Sequence, residues 1–415
     1  MTVSPEHFFR IAISEETAFK TASTYVNPRG LKRGSAVSPG RETIAIENSF
    51  NSFGDRYAAI PGAQTYTASI SWYLTASWYT DLADVFEAAL GTKDTTASPT
   101  FSSSADNFTV TVSAPSVAAS IMRFVSNEGT PKTYICPVDT DAAGVLTLGV
   151  GLPAGSIATA CVNPGSVTGA VFEYSLGAAA TTFSIESDWS ATPSSTTQEV
   201  ILASGCGITS FQLSYERGGP LTINTVWIGA SYTQGGGAAV NTANATAWTA
   251  EGPAWQADWF LSTDTTLHWT DTKAAIKSLV IEMAPPLIIE TGSQGLDGGS
   301  TASSLLPGSD ITGYTRDAAF EGLVTIRVPY NKQYMIDFNA QTAFRLFGVM
   351  YPGVAGGVAI GNIRTALSIR RMIPVGRPTV VVDAGGRYHE LTFQIERSTA
   401  TNSIAPSIAL ARFNS

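Results

Sequence analysis

The 415-residue chain is short of charge, of histidine and of cysteine, and each shortage removes a class of function. Only 14% of its residues are charged, against 44% hydrophobic. Its surface must therefore be built largely of Ser, Thr, Ala, Gly and Asn, which suits a protein covered by neighbours of its own kind. Three cysteines, Cys136, Cys161 and Cys206, make no disulfide framework for a chain this long. The sequence leaves open whether Cys136 and Cys161 pair, and no CxxC or Cys/His spacing marks a zinc site. No run approaches the ~18 apolar residues of a membrane-spanning helix. The opening "MTVSPEHFFRIAISEETAF" lacks the positive start and apolar core of a secretory signal, so the expectation is a soluble chain kept in a reducing cytoplasm.

Three histidines leave little for acid–base chemistry: His7 near the start, His268 beside Trp269, and His389 in an expected strand. No G-x-S-x-G elbow is present, since "NPGSVTG" and "PGSDITG" miss the spacing. "TLGVGLPAGS" (147–156) lacks the Lys-Ser/Thr of a phosphate-binding loop and reads as a turn. Nothing marks one carboxylate pair above the many others. The residues point to no enzyme, no cofactor and no metal.

Basic charge is also scarce. The balance of 24 basic against 33 acidic residues, net −9, argues against a general nucleic-acid binder. The distribution is uneven. Residues 81–310 hold 6 basic and 21 acidic side chains, and residues 311–415 hold 11 basic and 6 acidic. Residues 17–41 carry Lys20, Arg29, Lys32, Arg33 and Arg41 with no acid. Patchiness without function explains such blocks as well as contact between copies does.

What is present is mostly strand and turn. "TYTASISWYLTAS" (65–77) alternates so that Tyr66, Ala68, Ile70, Trp72 and Leu74 share one face. "WYTDLADVFEAALG" (78–91) then reads as an amphipathic helix, with Leu82, Val85, Phe86 and Ala89 on one face. Thr80 or Asp81 can cap its start, and Gly91 sits where a helix stops. Residues 14–41 read as an extended arm, and "ETIAIENSF" (42–50) as the strand that follows it. Short strands are expected through 107–138, 169–189 and 199–205. "ITSFQLSYE" (208–216) and "LTINTVWIGAS" (221–231) form a hairpin across "RGGP". "TQGGGAAVNTANAT" (233–246) is the best linker. "AAFEGLVTIRVPY" (318–330) precedes a segment, 331–352, that starts as a short helix and ends as a strand. "AGG" at 384–386 is a hairpin turn in the tail. The Trp-rich patch at 248–269 reads as core or subunit contact in preference to a ligand site.

Taken in order, these segments resemble the tail tube (major tail) proteins of long-tailed bacteriophages. The resemblance rests on Glu15-Glu16-Thr17, an irregular arm, and Arg41-Glu42-Thr43-Ile44 at a strand start. It continues with Pro61-Gly62, Ala88-Ala89-Leu90-Gly91, and "GCGITSFQLSYERGGPLTINTVWIGA" (205–230). "SLVIEMAPPLIIET" and "GYTRDAAFEGLVTIRV" resemble the strands of a second unit. Each motif is short, and their order carries the likeness.

The resemblance implies a mainly β fold of two tandem tail-tube-type β-sandwich or half-barrel units, each with a flanking helix, plus loop or β-rich insertions. The first unit spans 1–232 with an insertion at 92–168, residues 233–270 form a linker or insertion, and the second unit spans 271–415. It implies a non-enzymatic virion protein of the tail, assembled in the host bacterial cytoplasm with no membrane. Its first partner is itself, in trimeric, pseudo-sixfold rings stacked head to tail. The others are tape-measure, tail-terminator and baseplate proteins, and double-stranded DNA passing without specific binding. Arg29, Lys32, Arg33 and Arg41 become expected contacts between rings or subunits. Leu82, Val85, Phe86 and Ala89 become the face that packs a helix on the outer side of the tube wall. The main rival is a β-sandwich adhesin or decoration protein that binds capsid, or glycan through Trp248, Trp255, Trp259 or Trp269. A glycan-active enzyme ranks last.

Overall fold

A computed structural model describes residues 10–21, 35–44, 60–74, 78, 82–113, 119–167, 169–174, 181–188, 200–234, 254–263, 266–284, 287–292, 310–316, 321–352, 363–383, 386–396 and 408–414. Strict alternation makes its first layer. In the strand Ile60–Tyr73, Tyr66, Ala68, Ile70 and Trp72 are buried, as is Leu74 just beyond it, while Thr65, Thr67 and Ser69 are exposed. This strand pairs on one side with Ala36–Ile44 and on the other with Thr222–Gln234. Then follow Val200–Glu216, Ser278–Ala284, Glu321–Pro329, Gly386–Ile395 and Thr379–Asp383, giving eight antiparallel strands side by side. The "RGGP" hairpin forms as expected. Gly219 N–H donates to the Glu216 carbonyl at 2.9 Å, and Gly218 takes φ +76°, a conformation that strains any side chain.

A second layer runs Trp255–Ser262, Phe344–Pro352, Ile363–Pro374, Ile408–Asn414, Ala170–Tyr174 and Gly91–Asp94. Met372–Pro374 pairs with Phe393–Ile395, so the two layers are one antiparallel sheet folded back into a nearly closed, barrel-like shape. Their apolar faces share one core. Arg10–Glu15 and Phe183–Asp188 extend the sheet beside Val200–Glu216. A separate hairpin, Leu287–Gly292 with Asp310–Arg316, is tied on by the Tyr314 hydroxyl, which donates to the Gly205 and Ile228 carbonyls at 2.7 and 3.1 Å.

Helix α1 (Ala83–Leu90) sits against both layers. Leu82, Val85, Phe86 and Ala89 are all buried, and the Phe86 ring lies 4.6 Å from Trp78 and 5.6 Å from both Phe172 and Phe211. Burial of a side chain the size of Phe or Leu contributes about 1.5–3 kcal/mol, so this face holds the helix far more firmly than its eight residues could alone. Gly91 stops it at φ 108°, as expected. Its start is different: Leu82 occupies the cap position with no side-chain bond, and Thr80 and Asp81 lie outside the described residues. Helix α2 (Lys332–Asn339) begins at Asn331, whose side chain accepts from the Gln333 N–H at 2.8 Å. Phe338 anchors it to Phe393, with ring centroids 5.5 Å apart.

The segment expected to be an insertion holds a compact sheet of its own, ordered Ala158–Val162, Ile121–Ser126, Thr133–Ala142, Val145–Leu148, Thr109–Val112 and Phe101–Ser104. Its two edges approach each other. The Ala158 N–H reaches Ser104 Oγ at 3.3 Å, and the Asn163 N–H reaches Ser98 Oγ at 2.8 Å. Its core merges with side chains from the second layer, among them Phe260, Phe347, Val349 and Phe413. Asp139 pins the contact, 2.9 Å from Arg345 and 3.5 Å from Arg370.

Several expectations shift. The segment 14–41 is not a free arm throughout. Ser14 and Glu15 end a strand, Glu16 is buried, and Ala36–Arg41 belong to a strand. Arg41–Ile44 therefore end that strand instead of starting one, and Pro61-Gly62 lie inside a strand where a turn was expected. Pro39 in the edge strand and Pro61 in the strand beside it sit in paired backbone near the sheet edge, where a missing N–H is tolerated. Residues 199–205 do not form a strand of their own but run into the 17-residue strand Val200–Glu216. Of the expected linker, Thr233 and Gln234 are strand, and 235–246 lie outside the described residues. The three thiols are free and buried.

Candidate functional site

The most extensive constructed surface is the polar face of the eight-strand layer. Register places Ser71, Asn224, Gln212, Glu282, Leu323 and Gln394 in one row across six strands. The middle of the row is bonded side chain to side chain. The Asn224 amide donates to Gln212 Oε1 at 2.5 Å, and the Gln212 amide donates to Glu282 Oε1 at 2.8 Å. Such cross-strand ladders fix register on the wet side of a sheet. Neighbouring rows carry Ser69, Ser210 and Val226 on one side and Ser214, Val280, Thr325 and Thr392 on the other. A groove of about 680 Å³ lies on this face over Ser210, Gln212, Asn224, Glu282, Leu323 and Gln394.

Charge on this face is sparse, and one of its carboxylates is paired with a cation. Arg327 and Glu390, opposite each other in register, form an ion pair at 2.8 Å. Glu282 is held in the amide ladder. Hydroxyls and amides supply the rest, a wall that offers many weak hydrogen bonds and no cationic stripe for phosphates.

Both ends of this layer are open edges among the described residues. Ala36–Ile44 pairs only with Ile60–Tyr73, and Thr379–Asp383 only with Gly386–Ile395. On the latter edge Val380 and Val382 are 52% and 71% exposed. An apolar, exposed edge strand is a template for pairing with another chain.

Arg29, Lys32 and Arg33 lie outside the described residues, and Arg41 pairs through its backbone with Gln64 in the edge strand. Thus the structure brings one of the four expected contact residues to an open edge. Trp255 and Trp259 are buried in the core, Trp255 donating to the Leu74 carbonyl at 3.2 Å, so neither presents a face to a ligand. Trp248 and His7 are outside the described residues. His268 Nδ1 lies 2.8 Å from the Asn107 amide and 3.0 Å from the Leu152 carbonyl, an arrangement that ties two loops of the insertion's rim. His389 is buried against Tyr330, ring centroids 4.6 Å apart, and burial pushes its pKa down. Burial also pushes the Cys161 thiol up to about 11 and those of Cys136 and Cys206 still higher, away from reactivity.

Glu16 was noticed only as part of a sequence motif, yet it organises a junction. Its buried carboxylate accepts from Ser184 Oγ at 2.8 Å, from the Gly205 N–H at 2.9 Å and from the Lys20 N–H at 3.1 Å. Gly348 was not noticed at all. Its Cα faces the Trp259 ring so closely that a Cβ would fall 2.0 Å from it. The polar row has no local signal of its own, because the register that aligns it is set by pairings between segments far apart in the chain. No protein-family model matches this chain, and neither does any curated protein sequence.

Proposed function

We propose that the chain is a tail tube protein of a long-tailed bacteriophage, whose copies close into stacked rings with the polar face turned to a central channel. The observation that carries this reading is the eight-strand layer with one apolar face, one polar face that holds a groove, and, among the described residues, an open edge at each end. An open sheet with these features completes its hydrogen bonding by joining copies edge to edge, which removes the edges.

The order of pairings supports two tandem units. Ala36–Ile44, Ile60–Tyr73, Thr222–Gln234 and Val200–Glu216 lie side by side in that order. Ser278–Ala284, Glu321–Pro329, Gly386–Ile395 and Thr379–Asp383 repeat it. In each set the first two strands come first in the chain, a helix follows the second, and the last two pair as a hairpin. Three chains of this kind, each giving eight strands, make a pseudo-sixfold ring. The helix faces around Leu82, Val85, Phe86 and Ala89 then lie on the outer side of the wall, and Arg29, Lys32, Arg33 and Arg41 contact a neighbour. Tape-measure, terminator and baseplate proteins meet the tube's interior and ends. A channel of hydroxyls and amides lets DNA slide, because it releases few counterions on contact.

Edge-blocking tests this reading. The double substitution Val380→Lys, Val382→Lys puts two charges on an exposed edge without touching the core. The variant is expected to keep wild-type circular dichroism and to sediment as a monomer at concentrations where the wild type forms large assemblies. Assembly of the variant equal to wild type would contradict the edge-to-edge ring.

A further inference from the structure

A second surface, away from the polar row, gathers four cations. Two cavities, of about 450 and 590 Å³, adjoin where the insertion meets the second layer, and they share Asp258 and Tyr351. The first is lined by Arg123, Arg364, Tyr134 and Trp269. The second carries Arg217, Lys273 and Gln256. Four cations thus flank one carboxylate.

Three details show what this groove is fitted to. Arg123 is half-buried, its pKa is lowered by desolvation, and among the described residues no carboxylate pairs with it and its buried Nε has no partner. A half-buried guanidinium with no counter-charge beside it favours an anion that can bond to it. The aromatic rings are fixed in place. Trp269 Nε1 donates to the Ile135 carbonyl at 2.9 Å, the Tyr134 hydroxyl donates to Glu128 at 2.7 Å, and the two rings stand 5.6 Å apart. Arg364 lies 5.5 Å over Tyr351, and the Lys273 ammonium donates to the Trp269 carbonyl at 2.8 Å. Finally, the charge alternates along the groove: two arginines, then Asp258, then Arg217 and Lys273.

We infer that this groove binds an acidic polysaccharide, with a carboxylate-bearing sugar in each cavity and a neutral sugar over the ridge. The guanidinium groups take the carboxylates, Asp258 and Gln256 take ring hydroxyls, and the rings of Tyr134 and Trp269 supply apolar contact to the C–H groups of the sugars. A chain with a charge on every residue, such as an acidic peptide or a nucleic acid, fits less well, because Asp258 repels its middle. The inference is independent of whether copies form rings.

The test uses the full-length chain and isothermal titration at low salt with four probes. They are a hyaluronan hexasaccharide, in which uronic acid alternates with a neutral sugar, a neutral chitin hexasaccharide, hexaglutamate and a dT hexanucleotide. Saturable binding of the hyaluronan probe is expected, with the other three at least about tenfold weaker, as loss of one charged hydrogen bond implies. Arg123→Gln is expected to weaken it by about tenfold or more, and so is Arg217→Gln, an exposed site whose change leaves folding untouched. Absence of saturable hyaluronan binding would overturn the inference. So would equal binding by hexaglutamate or dT, or binding indifferent to both substitutions in folded protein.

Discussion

Glu16 shows how much one side chain decides. A buried carboxylate is tolerated only where donors surround it, and here a serine hydroxyl and two backbone N–H groups do so. Glu16→Ala strands those donors, and a cost of about 1–3 kcal/mol is expected for leaving buried groups unsatisfied. Urea unfolding monitored by fluorescence measures it. Glu173 is the opposite case. Burial raises its pKa, with the Ser120 bonds opposing. A carboxyl whose folded pKa lies above its unfolded value contributes fully below the unfolded value, near 4.5, and that contribution is lost as pH rises through the folded pKa. Glu173→Gln is therefore expected to raise the melting temperature at pH 7 and leave it near wild type at pH 4. Glu15 and Glu87, also raised chiefly by desolvation, act with the same sign.

At the scale of elements, the docking of the insertion rests on a charged hinge-pin. Asp139 meets Arg345 and the nearly buried Arg370, and Arg345 also donates to the Gly149 carbonyl at 3.0 Å. Removing one partner of such a group leaves uncompensated charge, so Asp139→Asn is expected to cost about 3–5 kcal/mol. Hydrogen exchange locates the effect: protection should fall in Phe344–Pro352 and Thr133–Ala142 while the Thr222–Gln234 hairpin stays protected. The sequence made some elements plain and hid others, for physical reasons. The Thr65–Tyr73 part of the strand Ile60–Tyr73, the bodies of α1 and α2 and the "RGGP" hairpin were legible because period and turn residues are local signals. Ala36–Ile44 and Ile408–Asn414 were not, since their pairing comes from strands distant in the chain. Prolines and glycines in and around the first made it look like an arm. The polar groove likewise needed register, and the cationic groove needed the insertion to fold back on the second layer.

For the whole molecule, the proposed self-association rests on a chain poor in charge, two open edges among the described residues and a repeated strand order. An isolated chain leaves Val380 and Val382 in water and two edges of backbone groups to be hydrated. In the proposed ring, closure would satisfy both at once, and the Ser, Thr, Asn and Gln of the polar face would coat the channel through which the proposed function passes DNA. The most direct measurement is negative-stain electron microscopy of the purified chain over a concentration series. Hollow rings that stack into tubes, with a channel wide enough for duplex DNA and sixfold features in projection, are expected. Compact particles without a central channel at every concentration would contradict the tube.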